Sequence, residues 1–258
     1  MRNYLFLLVF ASFFLGSCTA YHDTTSRFNA YFLANEKMKE VETALFSEQK
    51  DDFNNVLGVL PLLDSTSTQS QKANLEYCIS KASIPIRFHE ESKWIDDCYL
   101  LIAKSRMYLG DNVNAVNTYK YLNGSSDDPN IRHQALIGLM RAFSATEQYS
   151  GVEQVMKEIA NDPEPFSLEN IPEFYLVAAD YYRNTGNLPR AAQYLEKAVP
   201  LVKPKFKQAR YYFMLGQIYQ EAGESGKAFE NYQKVLASRP SYDLEFNTSL
   251  NSAQVFDP

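Results

Sequence analysis

The stretch that decides the fold is ARYYFMLGQIYQEAGESGKAFENYQKVLASRPSY, residues 209–242. Its large and small residues follow fixed spacings: Tyr212-x₂-Leu215-Gly216-x₂-Tyr219, then Ala228-x₃-Tyr232, then Pro240. Spacings of three and four residues are typical of one face of an α-helix. Gly223 is placed to end a first helix and Pro240 to end a second, because glycine closes helices readily and proline cannot continue one. The stretch therefore predicts two helices joined by a short turn.

This order of residues is that of the tetratricopeptide repeat, with tyrosine where tryptophan and phenylalanine usually stand. Gly216 and Ala228 are the small residues that let the two antiparallel helices approach closely. Less perfect copies of the pattern begin at residues 96, 133 and 172, so the four starts are spaced by 37 to 39 residues. The chain is therefore predicted to be all-α, a solenoid of antiparallel helix pairs with four repeats over residues 96–242.

Residues 18–95 are predicted to form a divergent helical region that caps this array. Thr25–Gln49 and Ser70–Glu91 carry apolar residues at helical spacing, the second stretch being interrupted by Pro85. Between them, residues 51–68 begin with a polar patch and end in a Ser/Thr-rich run, which predicts a surface loop. Residues 243–258 show only weak periodicity and are predicted to be a C-terminal tail.

The chain begins MRNYLFLLVFASFFLGSCTA, with one positive charge followed by an apolar run too short to span a bilayer. Leu15-Gly16-Ser17-Cys18 resembles a bacterial lipobox. The resemblance implies that residues 1–17 are a cleaved signal peptide and that Cys18 carries acyl chains such as palmitate, enough for stable membrane anchoring. Thr19 and Ala20, which follow Cys18 directly, are not acidic, whereas an aspartate just after the lipidated cysteine is an inner-membrane retention signal in some bacteria; we therefore expect the outer membrane, with the body facing the periplasm. The alternative is an ordinary signal peptide cleaved a few residues later.

Composition excludes some functions and leaves one question open. The formal net charge is −6, and it becomes −7 when Arg2 is removed with the leader, so a nucleic-acid partner is not expected. Cys78 and Cys98 are expected to be buried free thiols, although the two could pair in an oxidising compartment.

No catalytic or cofactor site is predicted. Asp96 and Asp97 could suggest acid–base chemistry, but adjacent helix positions point about 100° apart, and negative charge is favourable in a first helical turn. Three histidines without metal-ligand spacing predict no metal site, and no nucleotide-binding or nucleophile motif occurs. The chain is therefore not expected to be an enzyme.

Positions that usually line the concave groove of such arrays are the candidates for partner binding. They carry mixed charge, which suggests recognition by hydrogen bonds and local salt bridges: Asp97, Lys104, Gln134, Arg141, Asp180, Arg183, Arg210, Gln217 and Gln220. The stretch KPKFKQARYYF (203–213) interleaves Lys203, Lys205, Lys207 and Arg210 with aromatic residues. This patch could bind an acidic partner or a phospholipid head group, or be a solvated turn.

Three blocks together resemble one family: YHDTTSRFNAYFLANE (21–36), SKWIDDCYLLIAKSRMYLGD (92–111) and RPSYDLEFNTSLNSA (239–253). They are similar to the N-terminal part of the SprE/PorW lipoproteins, which carry tetratricopeptide repeats in the type IX secretion and gliding-motility machinery of Bacteroidetes. The resemblance implies a membrane-tethered scaffold for secretion proteins and no catalytic residues. The alternatives are a BamD-like outer-membrane assembly lipoprotein and a glycan-binding uptake lipoprotein.

Overall fold

A computed structural model describes residues 21–61, 63, 68–162 and 164–256, and these are all-α: within those ranges no strand occurs. Cys18 and the predicted signal peptide lie outside the described residues. A π-helical turn at Arg27–Tyr31 leads into the first of eleven helices considered below. Their bounds are α1 Phe32–Ser47, α2 Lys72–Phe88, α3 Ile95–Tyr108, α4 Asn112–Ser125, α5 Pro129–Ala145, α6 Tyr149–Asn161, α7 Ile171–Asn184, α8 Leu188–Ala198, α9 Lys205–Glu221, α10 Ser225–Ala237 and α11 Tyr242–Val255.

The chain divides into two compact units. Unit 1 contains Met1–Glu48 and Leu63–Thr146, and unit 2 contains Gln49–Leu62 and Glu147–Pro258. A short piece of chain between α1 and α2 thus folds with the C-terminal helices rather than with its own neighbours in sequence. None of the described helices is both long enough and apolar enough to cross a membrane.

In unit 1, α1 to α5 pack each against the next in sequence. The core is built from fully buried side chains that each of these helices contributes: Met38, Leu75, Met107, Leu122 and Met140. The tightest approach lies between α4 and α5, where a methyl group added to Gly138 would stand 2.4 Å from the Tyr119 ring. Glycine is required here because the ring of Tyr119 occupies the space of a side chain.

The two N-terminal blocks that carry the family resemblance pack against each other in unit 1. The rings of Tyr31 and Trp94 are stacked with centroids 4.8 Å apart. The Asp23 carboxylate accepts hydrogen bonds from the Ser92 hydroxyl at 3.2 Å and from the Lys93 backbone N–H at 3.0 Å. These contacts fix the start of the described chain to the turn that precedes α3.

In unit 2, α7 pairs with α8, α9 pairs with α10, and α11 packs on α10. The α9–α10 pair closes on Gly216, where an added methyl group would stand 2.3 Å from the ring of Tyr232. The sequence predicts Gly216 as a small residue where the two helices approach, and the structure adds that the residue facing it is Tyr232. The all-α fold of antiparallel helix pairs is therefore confirmed, and with it the fold class.

Two local predictions differ from the structure. Pro85 does not interrupt α2, which continues to Phe88. Proline lacks the N–H that would bond to the carbonyl four residues earlier, so the helix gives up that one hydrogen bond, while the Pro85 carbonyl still accepts from the His89 N–H at 2.8 Å. Residues 243–255 are not an irregular tail but most of α11. Their buried face includes Thr248 and Ser252 beside Leu244 and Val255, so polar residues hide its helical period from a hydrophobicity pattern.

The turns that end α3, α7 and α9 share one geometry. Gly110, Gly186 and Gly223 adopt positive φ of 79°, 77° and 72°. The turn after α5 places Glu147 in the same conformation, with φ of 57°. Because the left-handed region costs a residue with a Cβ atom roughly 1–2 kcal/mol, this turn stores strain that the other three avoid.

Replacing Glu147 with glycine is expected to raise the free energy of unfolding by up to about 1 kcal/mol, since relief of strain exceeds the extra chain entropy of glycine. Urea unfolding followed by circular dichroism measures the change. The matched control is Gly223→Ala, which should lower stability by about 1 kcal/mol for the same reason. Equal stability of Glu147→Gly and wild type would contradict the role given to this turn.

Candidate functional site

The nine groove candidates divide between the two units. Four belong to unit 1: Asp97, Lys104, Gln134 and Arg141. Five belong to unit 2: Asp180, Arg183, Arg210, Gln217 and Gln220. In both units most of these side chains bind other parts of the same chain, as follows.

In unit 1, Lys104 and Arg141 surround a carboxylate from α1. The Lys104 ammonium lies 3.0 Å from Glu42, and the Tyr108 hydroxyl donates to the same oxygen at 2.9 Å. Arg141 donates to the Tyr108 hydroxyl at 2.7 Å. Burial pushes the pKa of Glu42 upward, but the charge and hydrogen bond of Lys104, the charge of Arg141 and the hydrogen bond of Tyr108 together outweigh it, so the pKa falls below its usual value. These candidates therefore hold α1 in place, and Gln134 is half-buried on α5.

Asp96 and Asp97 do not act on a common centre. Asp96 accepts a hydrogen bond from the Ser126 hydroxyl at 2.6 Å, whereas Asp97 is hydrogen-bonded to the Tyr31 hydroxyl. Burial, together with the charges of Asp128 and Asp96, raises the pKa of Asp97 to about 6. The two carboxylates face different neighbours, which is a structural arrangement rather than an acid–base pair.

The raised pKa of Asp97 makes its contribution to stability depend on pH. In the unfolded chain an aspartate has a pKa of about 3.9. Ionising Asp97 therefore costs the folded state free energy; this cost is absent below about pH 4, grows as pH rises, and is complete above about pH 6. Asp97→Asn is expected to raise stability at pH 8 by about 1–2 kcal/mol and to change it little at pH 4. Urea unfolding at the two pH values measures the difference; a loss of stability at pH 8 would contradict the account.

In unit 2, four of the candidates bind a piece of the chain without helix or strand, Asp51–Leu60, which we call the docked segment and which begins with a turn at Asp52–Asn55. The side chain of Gln217, on α9, both donates hydrogen bonds to the backbone of the docked segment and accepts one from it. The side-chain amide donates to the carbonyls of Phe53 at 3.3 Å and Asn55 at 2.7 Å, and its oxygen accepts from the N–H of Leu57 at 3.1 Å. One glutamine thus satisfies three backbone groups of the docked segment.

Helix α7 binds the same backbone further along. Arg183 donates to the Val56 carbonyl at 2.7 Å, and Asp180 accepts from the Leu60 N–H at 3.3 Å. Asp180 and Arg183 are three residues apart, so both lie on the same face of α7. Together with Gln217, these two residues hydrogen-bond to five backbone groups of the docked segment. These contacts do not depend on which side chains the segment carries.

One side chain of the docked segment, that of Asp51, is recognised by an ion pair. Arg210 binds the carboxylate of Asp51 with two nitrogens, Nε to Oδ2 at 2.9 Å and Nη2 to Oδ1 at 2.6 Å. The side chain of Arg210 is 7% exposed and that of Asp51 is 16% exposed. Such a bidentate, water-poor pair is strongly directional. The basic patch near residue 205 therefore includes one arginine that binds an acidic group, and that group belongs to the chain itself.

Apolar side chains complete the contact. Phe53 lies edge-on to Phe213 of α9, with ring centroids 5.5 Å apart. Val56, Leu57 and Val59 are buried at 7%, 3% and 0% exposure. Residues 51–60 consequently do not form the predicted surface loop. The apolar run from Val56 to Leu63 was the sequence signal that indicated burial.

Beside the docked segment lies an open cleft of about 300 Å³. Asn54 and Asn55 line one side, and Gln217, Gln220 and residues of α11, including Gln254, line the other. Gln220 donates to Gln254 at 3.1 Å and accepts from the Tyr232 hydroxyl at 2.7 Å. The amide-rich walls can hydrogen-bond further backbone or side-chain groups next to the docked segment.

Other reactive side chains do not assemble into a site in the described part of the chain. The Nδ1 atoms of His22 and His89 lie 2.7 Å apart, but no group of three or more potential metal ligands occurs among the described residues. Cys78 and Cys98 are free and buried, and burial raises their pKa values to about 11 and about 12. Both thiols therefore stay protonated and unreactive at neutral pH.

The comparisons with known proteins concern the repeats. The tetratricopeptide repeat family matches residues 172–200 and 209–242, stretches that begin where the third and fourth predicted repeats begin. Among solved structures, one similar chain is a kinesin light chain from Podosopora anserina with nearly identical TPR-like repeats. It is 19% identical, the match covers 69% of this chain and 89% of that one, and the TM-score is 0.42. No curated protein matches this chain significantly.

Proposed function

We propose that this chain is a protein-binding scaffold, tethered to the outer membrane through Cys18, that holds partner proteins during cell-envelope assembly and most specifically type IX secretion and gliding motility. One observation carries the binding function: α7 and α9 hold a peptide segment without helix or strand through Asp180, Arg183, Arg210 and Gln217. Tetratricopeptide repeats are scaffolds whose stacked helices present extended binding surfaces, a fold that is typically without catalysis.

The membrane address is supported by the sequence. The lipobox-like Leu15–Cys18 follows a short apolar leader, and triacylation of Cys18 would anchor the chain stably. The type IX assignment is supported by the three blocks that resemble the SprE/PorW lipoproteins. The body is proposed to face the periplasm, where its partners are envelope proteins.

Replacing Cys18 with serine is expected to move the protein from the membrane fraction to the soluble fraction, because the acyl chains have no other attachment site. Fractionation of the native host, followed by immunoblotting, measures this. Ser17→Ala is the matched control, since alanine is also small and should leave lipidation intact. A Cys18→Ser protein that remains with the membrane would contradict the anchor.

The partner assignment is tested by crosslinking in the native host, affinity capture of the tagged chain and mass spectrometry. Type IX secretion components are the expected partners. Recovery of barrel-assembly proteins instead would favour the BamD-like alternative. Calorimetric binding of oligosaccharides by the purified chain, with no protein captured, would replace the scaffold function with glycan binding.

A further inference from the structure

The groove of unit 2 carries information about the kind of partner that fits it, because it already holds one ligand. That ligand is the docked segment, which is continuous with unit 1 in sequence but folds with unit 2. Its residues form no helix or strand; a turn at Asp52–Asn55 is bonded within the segment, and the backbone around this turn and beyond it is hydrogen-bonded to side chains of α7 and α9. It is therefore bound as a peptide is bound.

The recognition is general for the backbone and selective for a few side chains. Gln217, Arg183 and Asp180 bind main-chain groups that any non-helical peptide offers. Selectivity comes from Arg210, which needs a carboxylate, and from Phe213, which packs against an aromatic ring two residues later. Apolar side chains then follow at the positions of Val56, Leu57 and Val59.

We propose that this groove binds a non-helical segment of a partner protein with the pattern acidic-x-aromatic-x₂-apolar-apolar-x-apolar, and that the docked segment occupies the site until such a partner displaces it. This inference rests on the proposed scaffold function and names the chemistry of its ligand. A tethered segment competes at an effective concentration on the order of millimolar, so a free partner segment must bind more tightly or be multivalent.

The test uses the full chain and the labelled peptide QKDDFNNVLGVLPL, which copies residues 49–62. Asp51→Arg combined with Phe53→Ala should release the docked segment, since it places two cations together and removes the ring contact. Fluorescence anisotropy is expected to show that this opened variant binds the peptide at least about tenfold more tightly than wild type, because the tethered competitor is weakened. Adding Gln217→Ala to the opened variant should abolish the gain.

Two altered peptides form a matched control. Changing the first aspartate of the peptide to lysine removes the partner of Arg210 and should prevent binding. Changing the adjacent second aspartate, which copies the exposed Asp52, should leave binding intact. An opened variant that keeps its helical circular dichroism but binds no better than wild type would overturn the proposal, as would equal binding of the two altered peptides.

A second readout does not depend on the opened variant. In the wild-type chain, hydrogen exchange at the N–H groups of Leu57 and Leu60 should be at least about tenfold faster than in the core of α9, because the segment opens without unfolding of the helices. Exchange as slow as that of the α9 core would overturn the proposal. If the double variant loses its helical signal, Phe53→Ala alone replaces it with the same criteria.

The outcomes separate this inference from the scaffold function. Failure of peptide binding, with envelope proteins still captured in the host, would overturn the inference and leave the scaffold function in place. Peptide binding without capture of any envelope protein would support the chemistry assigned to the groove and would contradict the scaffold function. A wild-type dimer in light scattering that the peptide dissociates would assign the groove to the segment of a second copy, and would overturn its assignment to a partner.

Discussion

Replacing Gly216 with alanine is expected to lower the free energy of unfolding by about 1–3 kcal/mol, because the added methyl group overpacks the interface of α9 and α10. The Cβ atom would lie 2.3 Å from a ring carbon of Tyr232. That ring cannot move aside easily, since it is fully buried, packs against Phe213 with centroids 5.6 Å apart and is hydrogen-bonded to Gln220. The clash must be relieved by separating the two helices.

Gly226→Ala is the matched control in the same helix pair. Gly226 is exposed on α10, and an added Cβ atom there meets nothing within 4 Å. Alanine should therefore be neutral or stabilise by roughly 0.5–1 kcal/mol, owing to its helix propensity. Urea unfolding followed by circular dichroism compares both variants with wild type. Equal stability of Gly216→Ala and Gly226→Ala would contradict the close packing of α9 and α10.

Replacing Asp51 with alanine is expected to cost about 3 kcal/mol in unit 2, because it leaves the charge of Arg210 buried without a partner. Both hydrogen bonds of the bidentate pair are lost at once. The cost has an upper limit: if it exceeds the free energy of docking, the segment detaches and lets water reach Arg210. The variant should then show faster hydrogen exchange at the Leu57 N–H than the wild type does, while exchange in α9 stays as slow as in the wild type.

The neighbouring carboxylate is the control. Asp52 is exposed and accepts hydrogen bonds from Asn54 and Asn55 within its own turn. These hydrogen bonds, above all the one from the Asn55 side chain, stabilise the carboxylate and lower the pKa of Asp52. Asp52→Ala should change the stability of unit 2 much less than Asp51→Ala does, because solvent screens the charge of an exposed carboxylate. Equal losses for the two substitutions, or no loss for Asp51→Ala, would show that the Arg210 pair does not hold the segment.

The repeats of unit 2 could be predicted from the sequence because their contacts are local. Gly216 and Tyr232 lie 16 residues apart, and the spacing of large and small residues encodes which helix faces meet. The glycine turns can also be predicted locally, because glycine is the residue that most readily adopts a positive φ. The strained turn at Glu147 could not be predicted in this way, because a glutamate in the sequence gives no sign of a positive φ. It is recognised only from the backbone.

The occupant of the groove could not be predicted, because its contacts join residues more than a hundred positions apart. Asp51 and Arg210 are separated by 159 residues, and no local period connects them. The groove positions Asp180, Arg183, Arg210 and Gln217 were selected by repeat register alone. Register places a side chain on a surface, but it does not indicate which chain covers that surface.

The central claim is that unit 2 binds other proteins through the groove that the docked segment occupies, and site-specific photocrosslinking in the native host tests it most directly. A photoreactive residue at Gln254, which lines the cleft next to the docked segment, is compared with one at Glu245, an exposed position elsewhere on α11. The account predicts a discrete adduct with an envelope protein from position 254 and none from position 245. No adduct at position 254, or the same adducts from both positions, would contradict it.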